Sequence, residues 1–415
     1  MNAAWLATVW LVGGTAAGLI SRRLGGRRAV GAIAVLLLAG ASLLTLRAGA
    51  GRSPLIDTGP YLSREAGGLL AAAAAALALC LLLAERVDGL EVVGVGAVGA
   101  AVVLVVSTTS PLLYGVAALL AVMALSLRWM ASAPGPATLA AARVAGVGAA
   151  SLIAASVFLP VSSQEVPTRA GPALVGGLLV TGVITLVALV PVGGWVAGAV
   201  ARLRAVDIAT WQFLIAPAML ITAALIPTSL PGSGRLAFRD TILVAGLLSA
   251  IWAGVQSLRP GVPSRYGRLA AGDLALVAAA IGTGQAVAVT GGLLLIVTHL
   301  VAGPVLLQPP AAGLETPRRL LWWAVSGLPP SPAFWGRLLI LRACAGIGGP
   351  TLIPCVAACG LLALAAVLVV ARGEGEGGAP TVPVRAVLAW GLCGLALAAG
   401  LMPLVAVHAV FGAAA

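Results

Sequence analysis

Most side chains of this sequence that are able to do chemistry are exceptions within apolar runs. Of 415 residues, 61% are hydrophobic and 9% charged, so four ionisable residues inside or at the ends of apolar stretches stand out: Asp273, His299, Arg337 and Arg143. A charge in hydrocarbon is costly and is kept where it faces a protein interior or an ion path. Histidine is the side chain whose ordinary charge change lies near neutral pH, so His299 reads either as a membrane-embedded proton acceptor or as a hydrogen-bonded core histidine. Arg337 keeps its charge, so it suits a fixed charge beside an ion path, or a structural cation paired across helices, better than a proton relay. Asp273 reads as a carboxylate near a helix N-terminus, stabilised by the backbone dipole, or as a proton-entry residue. Arg143, near a helix start, is expected to snorkel to the interface. His408 reads as a core residue of the last apolar stretch, and Trp322 and Trp323 as an aromatic belt.

Other chemistry is excluded by residue type. All 24 basic residues are arginine, which removes any lysine relay or Schiff base. The five cysteines (Cys80, Cys344, Cys355, Cys359, Cys393) lie in apolar segments and read as small core residues. Cys355 and Cys359 are one helical turn apart but have no nearby His or carboxylate to complete a metal site. No Ser/His/Asp, phosphate-loop or metal-ligand constellation occurs. The expectation is a chain without a cofactor of its own.

The elements that position these residues are membrane spans. About 20 apolar residues cross a bilayer, and by that measure fourteen segments qualify: 3–20, 29–48, 66–84, 89–107, 111–127, 138–160, 174–198, 210–227, 240–257, 269–287, 289–308, 318–346, 349–371 and 384–412. The expected fold is an all-α polytopic membrane protein of about fourteen helices, with two inverted-repeat-like bundles and broken helices. The break is clearest in Ser326 to Ala343, SGLPPSPAFWGRLLILRA, where Pro329, Pro330 and Pro332 fall inside a span. Proline has no N–H and collides with the preceding turn, and the freed backbone groups must find partners in protein or water. Pro191, followed by Gly193 and Gly194, marks a second interruption, and Pro217 a third. Two helix sets, each with an interrupted member, suggest an internal repeat. The division is 1–65 (N-terminal helices), 66–227 (first bundle), 228–371 (second bundle, broken at 318–346) and 372–415 (linker and C-terminal helix).

Charge sets the orientation. Alternate loops place fifteen arginines on one face and six on the other, so the positive-inside rule predicts both termini outside. Asn2 to Ile20 reads as a first span, not a cleavable leader. Arginine without lysine, together with 54 glycines, suggests a GC-rich bacterial genome and hence the cytoplasmic membrane of a bacterium.

Three stretches carry a resemblance. SGLPPSPAFWGRLLILRA, RYGRLAAGDLALVAAAIGTG (265–284) and VTHLVAGPVLLQ (297–308) resemble, in order and spacing, the antiporter-like membrane subunits of the complex I family, which includes cation/proton antiporter complexes and energy-converting hydrogenases. The resemblance spans roughly 60–415. It implies a non-catalytic subunit of a proton-translocating oxidoreductase of the NADH, ferredoxin or hydrogenase type. It also implies other membrane subunits as neighbours, and partner subunits that hold iron–sulfur clusters with flavin or a NiFe centre. Carried over residue by residue, the family's glutamate falls at Ala117 or Ala118, and its lysines at Leu186, near Thr222, at Gly303 and at Arg337; its histidine is retained as His299. Pumping in the family is thought to use those lysines, so three expectations stay open: a subunit that contributes to proton or sodium translocation or supports the pumping arm, a stand-alone secondary transporter with the broken helices as its substrate site, or a structural membrane scaffold in which pumping has been lost.

Overall fold

The structure, a computed structural model, describes residues 3–23, 33, 35, 64–84, 87–107, 111–162, 170–189, 203–225, 232–259, 265–372, 378–380 and 383–411. It is built of helices: α1 (Ala3–Arg23), α2 (Arg64–Leu83), α3 (Gly89–Ser107), α4 (Pro111–Ser132), α5 (Pro136–Ser162) and α6 (Ala170–Val187) come first. Helix α7 runs through Ala205–Ala209, a π turn at Thr210–Ile215, and Ala216–Leu225. Then follow α8 (Gly232–Leu258), α9 (Arg265–Thr283), α10 (Ala286–Leu306), α11 (Glu315–Ser326), α12 (Pro332–Ile347), α13 (Gly349–Arg372), α14 (Pro383–Leu401) and α15 (Pro403–Phe411). Two short strands, β1 (Ala311–Ala312) and β2 (Gly378–Pro380), pair in parallel and join the loops after α10 and α13. Among the described residues, eight helices are long and apolar enough to cross a membrane, with shorter apolar helices at 68–83 and 171–187. This is an all-α, multi-pass membrane protein. The expected span 29–48 and the Pro191 interruption lie outside the described residues.

Successive helices pack side by side, α3 on α4, α4 on α5, α5 on α6, α6 on α8, α8 on α9, α9 on α10 and α10 on α12. Helix α7 threads between them, touching α2, α3, α6 and α9. Lipid gives no hydrophobic drive between helices, so small residues that let backbones approach decide the contacts. Gly14 and Gly18 seat α1 on α3, and a methyl on Gly14 would sit 2.5 Å from the Cα of Gly96. Gly291 and Gly336 do the same for α10 and α12, where a methyl on Gly291 would lie 2.5 Å from the Gly336 carbonyl oxygen. That contact carries Arg337, the next residue, up against α10.

Helix ends need partners for their last carbonyls, and arginine supplies them repeatedly. Arg318 donates to Val305 O (2.7 Å) and Gln308 O (2.9 Å) at the end of α10, Arg385 to Ala84 O after α2 (3.0 Å), and Arg239 to Gly284 O after α9 (3.2 Å). A guanidinium fork also complements the negative end of the helix dipole.

Two breaks follow different chemistry. Helix α6 ends at Val187 with Ala188 in the left-handed region (φ 65°). Leu189 N–H bonds Ile184 O (2.7 Å) and Ala188 N–H bonds Thr185 O (3.3 Å), the two bonds of a Schellman end. The Trp211 indole donates to Leu186 O (3.2 Å). The span expected at 318–346 is two helices, α11 and α12, separated by Gly327 (φ 77°) and a turn containing the cis Pro329–Pro330 bond. Pro332 does not break a helix; it opens α12, where a missing N–H costs nothing, behind Ser331, whose Oγ accepts the Phe334 N–H at 3.1 Å. The interruption expected at Pro217 is likewise not a helix end. The π turn just before it widens the helix where the ring would otherwise meet the Phe213 carbonyl. Ala188→Gly relieves a left-handed conformation that costs a non-glycine residue about 1 kcal/mol, so the purified variant should unfold at a higher temperature than the wild type; an unchanged or lower midpoint contradicts this helix end.

Candidate functional site

In the second half of the molecule, α9, α10 and α12 bring three of the predicted residues together. Asp273 is fully buried in α9, and His299 and Arg337 are 3% and 4% exposed. Arg337 donates to the Asp273 carboxylate from Nη2 to both oxygens (3.0 and 3.1 Å) and from Nε to Oδ1 (3.2 Å). Its remaining donors cap α11: Nη1 reaches Ser326 O at 2.6 Å and Nη2 reaches Val325 O at 3.1 Å. One guanidinium therefore closes the broken helix and neutralises the carboxylate. On the other side, His299 Nε2 lies 3.0 Å from Asp273 Oδ2.

The chain of polar groups continues. Tyr266 Oη is 3.0 Å from His299 Nδ1, and Gln212 Nε2 donates to Tyr266 Oη at 3.2 Å from within the π turn of α7. All are buried. The order Gln212, Tyr266, His299, Asp273, Arg337 and the α11 carbonyls crosses five helices. Its donors fit one arrangement well. With Asp273 as a carboxylate, His299 donates from Nε2, leaves the Nδ1 lone pair free, and Tyr266 donates its hydroxyl hydrogen there while accepting from Gln212.

Asp273 is not a helix-start carboxylate as the sequence suggested. Helix α9 begins at Arg265 and Asp273 sits two turns inside it, so a guanidinium, not a backbone dipole, compensates it. Arg143 is exposed on α5 and joins none of these bonds. Trp323 is half-exposed, but Trp322 is no belt residue: it is buried, edge-on to the Tyr266 ring with centroids 6.0 Å apart. The sequence reading missed Tyr266 and Gln212. The only signals were a hydroxyl and an amide in otherwise apolar runs.

Ala117, Ala118, Leu186 and Thr222 are buried, and Gly303 is the most informative of the substituted positions. The Phe213 ring packs against it, and a methyl there would overlap that ring and lie 2.8 Å from Tyr266 Oη. The space beside His299 is filled by an aromatic ring and a hydroxyl that leave no room for a longer side chain.

No protein-family model and no curated protein matches the sequence. Solved structures do. A chain of respiratory complex I from Thermus thermophilus with bound aureothin superposes with a TM-score of 0.77 and 19% identity, covering 98% of this chain and 99% of that one. This is the fold of a respiratory-complex chain. A chain of the membrane-bound sulfane sulfur reductase, an archaeal respiratory membrane complex, gives 0.79 at 16% identity over 98% and 96%. A chain of the Mrp complex from Dietzia sp. DQ12-45-1b gives 0.70 at 13% over 99% and 96%. The match extends over nearly the whole length in each case, and at these identities it is a likeness of fold.

Breaking one side of a buried pair strands a charge, whereas replacing both sides by apolar groups does not. Arg337→Met or Asp273→Leu alone should each destabilise the purified protein by about 3–5 kcal/mol, and the double variant should be more stable than Arg337→Met in the same unfolding measurement, short of full recovery because the Val325 and Ser326 carbonyls stay uncapped; a double variant no better than the singles would show that the two residues do not act as a pair. Gly303→Lys should lower the yield of folded protein, because the added chain has no space beside Phe213.

Proposed function

We propose that this chain is a membrane subunit of a redox-linked, ion-translocating assembly, in which His299 is the group that takes up and releases a proton. The observation that supports this reading most strongly is the unbroken polar chain from Gln212 to Arg337, set among apolar helices and ending on the carbonyls of a broken helix. A proton arriving at His299 binds Nδ1, and the ring then donates from both nitrogens. Tyr266 must turn its hydroxyl away. Gln212 offers a place for it, since its Oε1 accepts no hydrogen bond among the described residues and an amide flip presents that oxygen to Tyr266. Protonated His299 then competes with Arg337 for the Asp273 carboxylate, so the new charge weakens the Asp273–Arg337 pair that seats the guanidinium at the α11 end. Arg337 itself keeps its proton. The proton is held beside the broken helix and its charge is felt there, without passing through the guanidinium.

The assembly would lie in the cytoplasmic membrane of a bacterium, with both termini of this chain outside. Other membrane subunits would flank it, and partner subunits would hold the redox centres. The ion would be a proton, or sodium driven by the same charge movement. A second reading, a structural member of the pumping arm that no longer pumps, is favoured by the side chains at 117, 118, 186, 222 and 303, none of which titrates.

In inverted vesicles containing the native assembly, His299→Gln should leave the redox turnover largely intact and lower the ions moved per electron several-fold. Unchanged stoichiometry in that variant, at normal levels of the assembled protein, would exclude the proton-carrying role and leave the structural reading.

A further inference from the structure

A second set of charged side chains lies apart from the central chain, where α3 starts, α4 ends and α7 starts. Asp88 and Glu91 cap α3 reciprocally: the Asp88 N–H donates to Glu91 Oε2 (3.0 Å) and the Leu90 N–H to Asp88 Oδ1 (3.2 Å). The other Glu91 oxygen, Oε1, faces two guanidinium groups, Arg204 Nη1 at 2.7 Å and Arg128 Nη2 at 3.2 Å. Arg128 Nε donates to Asp207 Oδ1 at 2.8 Å. Glu91 and Asp207 are each 1% exposed, whereas the Arg204 side chain is 56% exposed. The carboxylates are thus covered and Arg204 connects them to the outside.

Two atoms of this set are left over: the donor Arg128 Nη2, which has its ion pair with Glu91 and no hydrogen bond, and one acceptor. Asp207 Oδ2 is buried and accepts no hydrogen bond among the described residues. The nearby Ser132 hydroxyl is already donated to Trp129 O at 3.2 Å. A buried acceptor without a partner forfeits its hydration with nothing in return. The charges around it do not supply the missing partner. Among the described residues, α3 contributes Asp88 and Glu91, α4 Arg128, and the residue before α7 Arg204, so three carboxylates meet two guanidinium groups. Helix α2, which also packs on the start of α7, has no charged residue between Gly68 and Ala84 and one thiol, Cys80.

The geometry points to Asp207 Oδ2 as a second proton-binding site of this chain. A proton from water on the Arg204 side forms an O–H bond at Oδ2 and turns the carboxylate into a neutral acid. Oδ1 keeps the Arg128 Nε bond and Glu91 keeps both guanidinium groups. Release reverses the same step. Asp207 stands five residues before Gln212 on α7, about 7 Å along the axis, with the π turn beginning between them. One helix therefore carries this acid near its start and the outer end of the Tyr266–His299 chain within its π turn. The inference rests on the proposed function for its purpose, a port for protons, but its test does not depend on pumping.

The test is infrared difference spectroscopy on membranes containing the assembled protein, stepping pH from mildly alkaline to mildly acidic. A carboxylic-acid C=O band should appear on acidification in the wild type, vanish in Asp207→Asn, and persist in Glu91→Gln and in His299→Gln. Asp207→Glu, which keeps an acid, should move the band and serves in its place if the asparagine variant does not accumulate. A band removed by Glu91→Gln instead, or no band that any Asp207 variant removes or moves, overturns the assignment. Failure of His299→Gln to alter pumping would overturn the proposed function and leave this site standing.

Discussion

A guanidinium that does not give up its proton sits at the severed end of a helix, and the arrangement of the molecule's centre depends on how its donors are shared. Arg337 closes the Val325 and Ser326 carbonyls of α11 and holds both oxygens of Asp273. In a medium without water each of those groups needs a partner. A compact ammonium would offer three donors from one point, where the planar fork offers five in fixed directions. The same device recurs at lower stakes, with Arg318, Arg385 and Arg239 on other helix ends. Reliance on arginine in this chain is therefore a structural habit as well as a compositional one.

The two helix breaks show what that device adds. At the end of α6 the loose carbonyls are closed by a Schellman turn and a neutral indole, and Leu186 there carries no charge. At the end of α11 they are closed by a cation that also binds a carboxylate. In the proposed mechanism a charge change at His299 is felt at the second break, and among the described residues the first has no titratable counterpart. The central polar chain is thus confined to one side of the molecule, and α7 is the element through which the other side can reach it.

The spans were legible because hydropathy is a local property, readable in a window of about 20 residues. Asp273, His299 and Arg337 stood out for the same reason, as ionisable residues in apolar runs. Their meeting was not legible. Asp273 and Arg337 are 64 residues apart, and nothing in either stretch names the other. The start of α9 was placed four residues late, which turned a mid-helix carboxylate into a helix-start one. Tyr266 and Gln212 escaped because a lone hydroxyl or amide in an apolar helix is ordinary until its neighbours are known. Arg128 and Arg318 lie near the ends of their helices, where a hydropathy reading sees only a charge at a membrane face, yet Arg128 is drawn in by Glu91 and Asp207 and Arg318 by the end of α10. Charge counting places a residue at a membrane face and says nothing of what it binds there.

The direction of hydrogen bonding through His299 decides whether the central chain can hold a proton in the way proposed. The sequence has only two histidines, His299 and His408, so nitrogen-15 solid-state NMR of histidine-labelled protein resolves it directly, with His299→Gln assigning the signals. At alkaline pH the His299 ring should be neutral with its hydrogen on Nε2, Asp273→Asn should shift its Nε2 resonance, and acidification should protonate Nδ1. A neutral ring with its hydrogen on Nδ1, or a His299 signal indifferent to Asp273→Asn, would contradict this arrangement.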